Sequence, residues 1–409
     1  MSQSLDSASK AYATDDGRKK PSFKLEHMKH LQLLLACAVN AYALTRGLPA
    51  EARKRIIGAD KMNDTMKFLV FLVIGLVVGA GATLIVAPPG GNQTYTITTA
   101  GSTTVYPLSQ EWAVQFSADY PSISVSPSTG GSGLGQSQIA DGLIDIGASS
   151  SYPDETYRTT NPDVEIIPVS ADALGIVTNP AVNGSTFKMD CDMAVAIFQG
   201  NVTTWEDFES IFNVIVDATG PINVYVRSDA SGTTATFTKW LETADENTNA
   251  NGAEYEWGLG HSEVVSWPST LSSVDGNPGV ASGVEGDAQG IGYVGLVFME
   301  DLTPVDLYNP GIGDYVTPSL ENALKALPDE ITDPGQNLMN SNKTGAYPIA
   351  RLLYYLVNLD NLHWYTIAYL NWVLVQGQQY ISTVGYVPIS GTSAITYALS
   401  VVTALSPTT

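Results

Sequence analysis

Residues 226–234, Val-Arg-Ser-Asp-Ala-Ser-Gly-Thr-Thr, put one guanidinium, one carboxylate and a run of small hydroxyl residues around a single tight turn. Phe237, Trp240 and Leu241 follow at i, i+3 and i+4, a spacing that predicts an amphipathic helix whose first turn is Ser231, Gly232, Thr233 and Thr234. A helix start carries N–H groups without intrahelical partners and a partial positive charge, so it suits an anion. Ser231 and Thr233 add hydroxyl donors, and Gly232 lets an anion come close to the backbone. Arg227 ends the strand-like run before the turn and can add a two-pronged, charge-assisted contact. The chemistry predicted here is the holding of a small tetrahedral oxyanion.

Further elements are needed to complete such a site. From residue 93 the pattern alternates short strands with helices, which predicts an α/β fold with mixed, mostly parallel sheets and helices on both faces. Tyr95 to Thr99 reads as a strand, Ser102-Thr103-Thr104 as a turn, and Val105, Leu108, Trp112 and Phe116 as the apolar face of a helix with Pro107 in its first turn. Ile123 to Val125 is a second strand; Gly131-Ser132-Gly133 leads into a helix carrying Ile139 and Leu143. A third strand, Ile144 to Ala148, contains Asp145 and runs into Ser149-Ser150-Ser151. Ligands of such folds sit at the carboxyl ends of strands, where helix starts converge. Three junctions of that kind, at 102–104, 131–133 and 231–233, carry hydroxyl or glycine residues.

Other chemistries find little footing. Residues 1–67 hold 12 of the 19 Lys+Arg and 7 of the 41 Asp+Glu, leaving 7 basic against 34 acidic residues beyond, so nucleic acid is not expected as a partner. The same acidity repels a free oxyanion at long range, and a site has to work through local donors. Arg158, Arg227 and Arg351 are the three arginines after residue 67, which singles each out, although an ion pair is the plain reading of Arg158 and Arg351. Four histidines and the cysteines Cys37 and Cys191 are scattered without ligand spacing, so no metal, cofactor or disulfide framework is expected. Gly130 to Gly135 lacks the Gly-Lys-Ser/Thr of a nucleotide loop. Ser132 or Ser231 could be imagined as a nucleophile, but no histidine is near either in sequence, and no enzyme is predicted.

Residues 68–87, from Phe68 to Ala87, contain no charge. At about 1.5 Å per residue they match a hydrocarbon core of roughly 30 Å. Basic residues on the amino side place that side in the cytoplasm and everything after Pro88 outside. The segment reads as a single-pass anchor, with a cleaved signal as the competing reading. Residues 1–67 form a basic cytosolic extension or an artefact of an upstream start. Asn-X-Ser/Thr sequons at Asn92, Asn183, Asn201 and Asn342 agree with export. The Asn- and Gly-rich stretch around 246–256 reads as a surface loop, and the aromatics after Trp364 as helix packing.

Taken together, Gly101-Ser-Thr-Thr-Val-Tyr-Pro-Leu108, Gly130-Gly-Ser-Gly-Leu-Gly135, Asp145-Ile-Gly-Ala-Ser-Ser150, Ile197-Phe-Gln-Gly-Asn-Val-Thr-Thr-Trp205, Arg227-Ser-Asp-Ala-Ser-Gly-Thr233, Gly290-Ile-Gly-Tyr-Val294 and Gly385-Tyr-Val-Pro388 occur in the order seen in the phosphate-binding proteins of phosphate-specific ABC transporters, which residues 95–404 resemble. The resemblance implies a two-lobed, type II periplasmic-binding-protein fold, with residues 93–178 and 350–409 in one lobe and 179–349 in the other. It implies a monomer that captures inorganic phosphate and hands it to an ABC permease; an anchored oxyanion sensor is the alternative. Carried over by position, Thr103, Thr104, Ser132, Ser150, Arg227, Ser231, Gly232 and Thr233 are expected to hold phosphate, with Asp229 and Asp145 in support. Several relatives have an aspartate in place of Ser150. A hydroxyl reads the proton of hydrogen phosphate less sharply than a carboxylate does.

Overall fold

The structure, a computed structural model, describes residues 93–408 apart from 183–186, 245–254 and 332. The basic extension, the apolar segment 68–87, Cys37, the sequons at Asn92 and Asn183 and most of the 246–256 loop lie outside the described residues. Among those described, no helix is long and apolar enough to cross a membrane.

In chain order the strands are β1 (Tyr95–Gly101), β2 (Ile123–Thr129), β3 (Ile146–Ser149), β4 (Val164–Thr178), β5 (Lys188–Met189), β6 (Asn223–Arg227), β7 (Ser272–Val274), β8 (Gly290–Gly295), β9 (Thr303–Pro304), β10 (Asp306–Asn309), β11 (Asp314–Val316) and β12 (Ala350–Asn358). The helices are α1 (Tyr106–Asp119), α2 (Ser132–Ala140), α3 (Glu155–Thr160), α4 (Cys191–Phe198), α5 (Trp205–Phe212), α6 (Gly232–Leu241), α7 (Gly276–Glu285), α8 (Leu320–Ala326), α9 (Trp364–Val375) and α10 (Ser393–Ala404). The main sheet runs β2-β1-β3-β12-β4-β8-β6-β7, and β9 adds to β4.

Strand β4 organises this sheet. Its residues 164–173 pair with β12 and its residues 174–178 with β8, so the strand changes partners between Ala173 and Leu174. On one side stand β1, β2 and β3, mutually parallel; on the other, β6 lies parallel to β7 and β8. The expectation of mostly parallel pairing therefore holds within each flank and fails at the centre, where β12 and β4 run antiparallel to their neighbours. Antiparallel pairing here follows from connectivity: β4 carries the chain out of the first flank and β12 carries it back. Both are buried along almost their whole length, mostly by apolar side chains, with Ser170, Asp172 and Arg351 as buried polar exceptions.

Each flank has its own apolar core. Leu108, Trp112 and Phe116 of α1 pack with Tyr369, Leu370 and Trp372 of α9 in the first. Phe198, Trp205, Phe208, Phe237 and Tyr293 gather in the second. Burial of each such side chain stabilises the fold by about 1.5–3 kcal/mol. Leu143 departs from the predicted pattern: α2 stops at Ala140 and Leu143 is 69% exposed. Asn201 and Asn342 are exposed, as a sequon requires.

Candidate functional site

The carboxyl ends of β1, β2 and β3 point at those of β6, β7 and β8, and the turns that leave them meet. Ser102 Oγ accepts from the amides of Thr104 and Val105 at 3.1 and 3.3 Å, fixing the turn into α1. Ser231 does the same for α6, accepting from Thr233 and Thr234 at 3.1 Å each. This caps two of the amides that sequence reasoning left open to an anion and leaves the Ser231 hydroxyl proton free to point elsewhere. Tyr386, in the Gly-Tyr-Val-Pro motif, donates to Thr104 O at 2.5 Å. Tyr293, in Gly-Ile-Gly-Tyr-Val, stacks on Phe237, with Thr234 Oγ1 2.6 Å from its hydroxyl. Burial pushes the Tyr293 phenol up to about 12, so it stays neutral and holds the turn as a hydrogen-bonding group. These two motifs thus act behind the cluster.

Around the turns lies a buried polar cluster drawn from both flanks. Thr103, Thr104, Ser132, Ser150, Arg227, Ser231 and Thr233 are all at most 8% exposed. Thr104 Oγ1 and Thr233 Oγ1 are 3.0 Å apart, Ser132 Oγ and Ser150 Oγ 3.3 Å, and the Ser150 amide donates to Ser132 Oγ at 3.1 Å. Arg227 Nη2 donates to Thr103 Oγ1 at 3.1 Å. Its Nε and Nη2 are gripped by the two carboxylate oxygens of Asp229, whose Oδ1 also accepts from the Gly276 amide at 3.1 Å. Burial pushes the Asp229 carboxyl up, but hydrogen bonding and charge from Arg227 outweigh it, and the carboxyl ends below its usual range. Arg227 Nη1 is buried and, among the described residues, has no hydrogen-bond partner.

Gly232 sits where the flanks come closest. A Cβ there would lie 2.6 Å from the Ser151 amide nitrogen and 2.7 Å from both Ser132 Oγ and Ser150 Oγ. Gly232→Ala is expected to lower thermal stability, because the backbone amide of Ser151 cannot yield as a side chain would, and to lower anion affinity at least about tenfold. Calorimetry beside a melting curve separates the two; unchanged affinity would show that this close approach has no bearing on binding.

Asp145 is a correction. It precedes β3, whereas Ser150 follows it, so the strand separates the two. Its Oδ2 accepts from the Thr98 amide and hydroxyl at 2.8 and 2.7 Å, stapling β1 to β3 away from the cluster. Arg158 also stays outside, with Nε on Pro153 O and its guanidinium over Tyr152.

Two residues join the cluster that sequence reasoning did not place there. Arg351, on β12, is 5% exposed; its Nη2 reaches Asp172 Oδ2 at 2.9 Å, Thr233 Oγ1 at 3.2 Å and Thr104 Oγ1 at 3.3 Å, and its Nη1 reaches Ser150 O at 3.2 Å. Its scarcity was the available signal. Asn277, fully buried on α7, donates from Nδ2 to Thr103 Oγ1 at 3.1 Å and Thr104 Oγ1 at 2.9 Å. Nothing in its sequence context marks it, since an Asn near a helix start is ordinary. A cleft of about 640 Å³ adjoins the cluster between the flanks; its walls include Gln136, Ser151, Glu263 and Arg351, but not Arg227 or Thr103.

A buried guanidinium with one nitrogen unpartnered among the described residues, set among hydroxyls from two halves of a divided sheet, is an arrangement suited to a small anion. The chain belongs to the PBP superfamily, whose domain profile matches residues 87–375. It is similar to the phosphate-binding protein PstS of Methanocaldococcus jannaschii (27% identity, over 78% of this chain and 90% of that one) and to that of Haemophilus influenzae (28%, over 73% and 90%). Among solved structures it shares its fold with a high affinity periplasmic phosphate-binding protein (PfluDING) bound with phosphate, at a TM-score of 0.57, 18% identity and coverage of 75% of this chain and 93% of that one.

Proposed function

We propose that the chain is an extracytoplasmic phosphate-binding protein, which captures inorganic phosphate and delivers it to an ABC permease. Two lobes, 93–178 with 350–409 and 179–349, close on the anion about β4 and β12. Thr103, Thr104, Ser132, Ser150, Ser231 and Thr233 supply hydroxyls, Gly232 the close backbone, Arg227 the charge, and Asp229 holds Arg227 in position. The observation that carries this reading is Arg227 Nη1, buried and, among the described residues, unpartnered, on a guanidinium whose Nη2 already donates to the Thr103 hydroxyl. A buried cation that lacks a partner on one face is costly unless a ligand supplies it. The names of the relatives support phosphate as that ligand.

Residues 68–87 tether the protein, as a monomer, to the outer face of the membrane. No turnover is involved, and the bound anion leaves as it came. A thermal-shift screen against phosphate, arsenate, sulfate, molybdate and phosphonates tests the reading. Ligand at a hundredfold its Kd stabilises by about 2.7 kcal/mol, so phosphate is expected to raise the melting temperature most. No shift with any of these anions would refute the proposal.

Ser150 bears on selectivity. A hydroxyl can donate or accept, so sulfate, which has no proton at neutral pH, is poorly rejected. Ser150→Asp is expected to raise the phosphate-to-sulfate affinity ratio by about tenfold or more, because a carboxylate accepts the proton of hydrogen phosphate and faces sulfate unpaired. An unaltered ratio in competition binding would remove Ser150 from the account of selectivity.

A further inference from the structure

We propose that Glu263 is a positioning residue for anion capture: a latch from the second half of the molecule that clasps the Ser149–Ser151 turn of the first half when the two close. The proposal rests on the two-lobed capture reading above. Glu263 Oε1 accepts from Ser151 Oγ at 2.6 Å and from Gln136 Nε2 at 2.7 Å. Gln136 Nε2 also reaches Ser149 Oγ at 3.1 Å, and Ser149 Oγ donates to Ser151 O at 2.7 Å. The clasped turn therefore includes the backbone of Ser150, whose amide binds Ser132 Oγ. On its own side Glu263 is tied to the anion cluster too, because its carbonyl accepts from the Ser231 amide at 2.9 Å. One residue thus joins the cap of α6 to the end of β3 across the interface. The Gly133 amide crosses beside it, donating to Ala230 O at 3.1 Å.

The bonding pattern states what the latch requires. Both donors fall on the same oxygen, and none of the ion pairs of the described residues includes Glu263. An amide oxygen would serve equally well, so the hydrogen bonds, and not the charge, hold the halves together. The charge has a separate effect. Burial raises the Glu263 carboxyl, against the opposing bonds from Ser151 and Gln136 and with Asp154 and Asp229 adding to the rise. Arg158, Lys239, His261 and Asp333 line the same cleft. A carboxyl raised on closure takes up a proton as the halves meet. Its help to closure is full below the open-state value and is lost as the pH rises through the closed-state one.

The test is rapid-mixing and calorimetric binding of inorganic phosphate to wild type, Glu263→Ala and Glu263→Gln, with small-angle scattering alongside. Glu263→Ala is expected to speed dissociation by roughly tenfold, the loss of two hydrogen bonds to one acceptor, with association within about twofold and the unliganded melting temperature unchanged. Glu263→Gln is expected to restore the slow dissociation and to lose the part of the wild-type affinity that declines as the pH rises above the usual carboxylate range. A wild-type dissociation rate in Glu263→Ala, or a Gln variant as impaired as the Ala variant, overturns the latch. A wild type with no response to phosphate overturns the proposed function instead. The latch is then decided by scattering, where Glu263→Ala alone must be more expanded.

Discussion

Arg227→Ala is expected to weaken phosphate binding by about 2–5 kcal/mol, the range for removing one member of a buried, hydrogen-bonded charge pair. The side chain of Arg227 is 1% exposed, and Asp229 occupies Nε and Nη2, so Nη1 is the face left for an anion. Substitution removes that donor and does further harm. Asp229, held below its usual range by Arg227, is left with backbone donors such as the Gly276 amide against the burial that pushes its carboxyl up. Arg227→Lys separates charge from geometry: a lysine keeps the charge but cannot hold Asp229 with two nitrogens while presenting a third to the anion. It should fall between wild type and alanine. Calorimetry reads both, and a loss of less than tenfold in Arg227→Ala would remove Arg227 from the role assigned to it.

Arg351→Ala is expected to cost about 3–5 kcal/mol of folding stability, as breaking a buried pair does. Asp172 is fully buried and Arg351 nearly so, with Nη2 2.9 Å from Oδ2. Burial already raises the Asp172 carboxyl, only partly offset by Arg351, and lowers the Arg351 guanidinium, partly offset by Asp172. Without the arginine the carboxyl rises further. A carboxyl raised in the folded state favours folding fully below its unfolded value and ceases to as the pH climbs through the folded one. The deficit should therefore be larger at pH 8 than near pH 4.5, and adding Asp172→Asn should recover much of it. Urea unfolding at the two pH values checks this; a pH-independent deficit would mean that packing of the long side chain matters more than the pair.

How much of this could be read beforehand depended on whether the signal was local. The α6 turn was legible because Arg227, Ser231, Gly232 and Thr233 lie within seven residues and announce a strand end and a helix start. The strand and helix alternation followed from period, as did the apolar faces of α1 and α9. The central antiparallel strands were not legible, because pairing direction depends on where a distant segment returns, and β12 begins only at Ala350, far beyond the end of β4 at Thr178. Arg351 and Asn277 were missed as members of the cluster for the same reason: each reaches Thr104 from far along the chain. Asp145 was misplaced because nearness to Ser150 in sequence outweighed the strand already read between them, whose length sets the two at opposite ends. Glu263 sits in an irregular segment with no period and became visible only when Ser151 and Gln136 were found against it.

In the proposed function, three chain turns and Arg227 converge on one tetrahedral anion. A crystal structure of the protein grown with phosphate tests it most directly. One phosphate is expected within hydrogen-bonding distance of Arg227 Nη1, with Thr103, Ser132 and Thr233 turned toward it from both halves. A phosphate bound elsewhere, with Arg227 Nη1 still unpartnered, would contradict it.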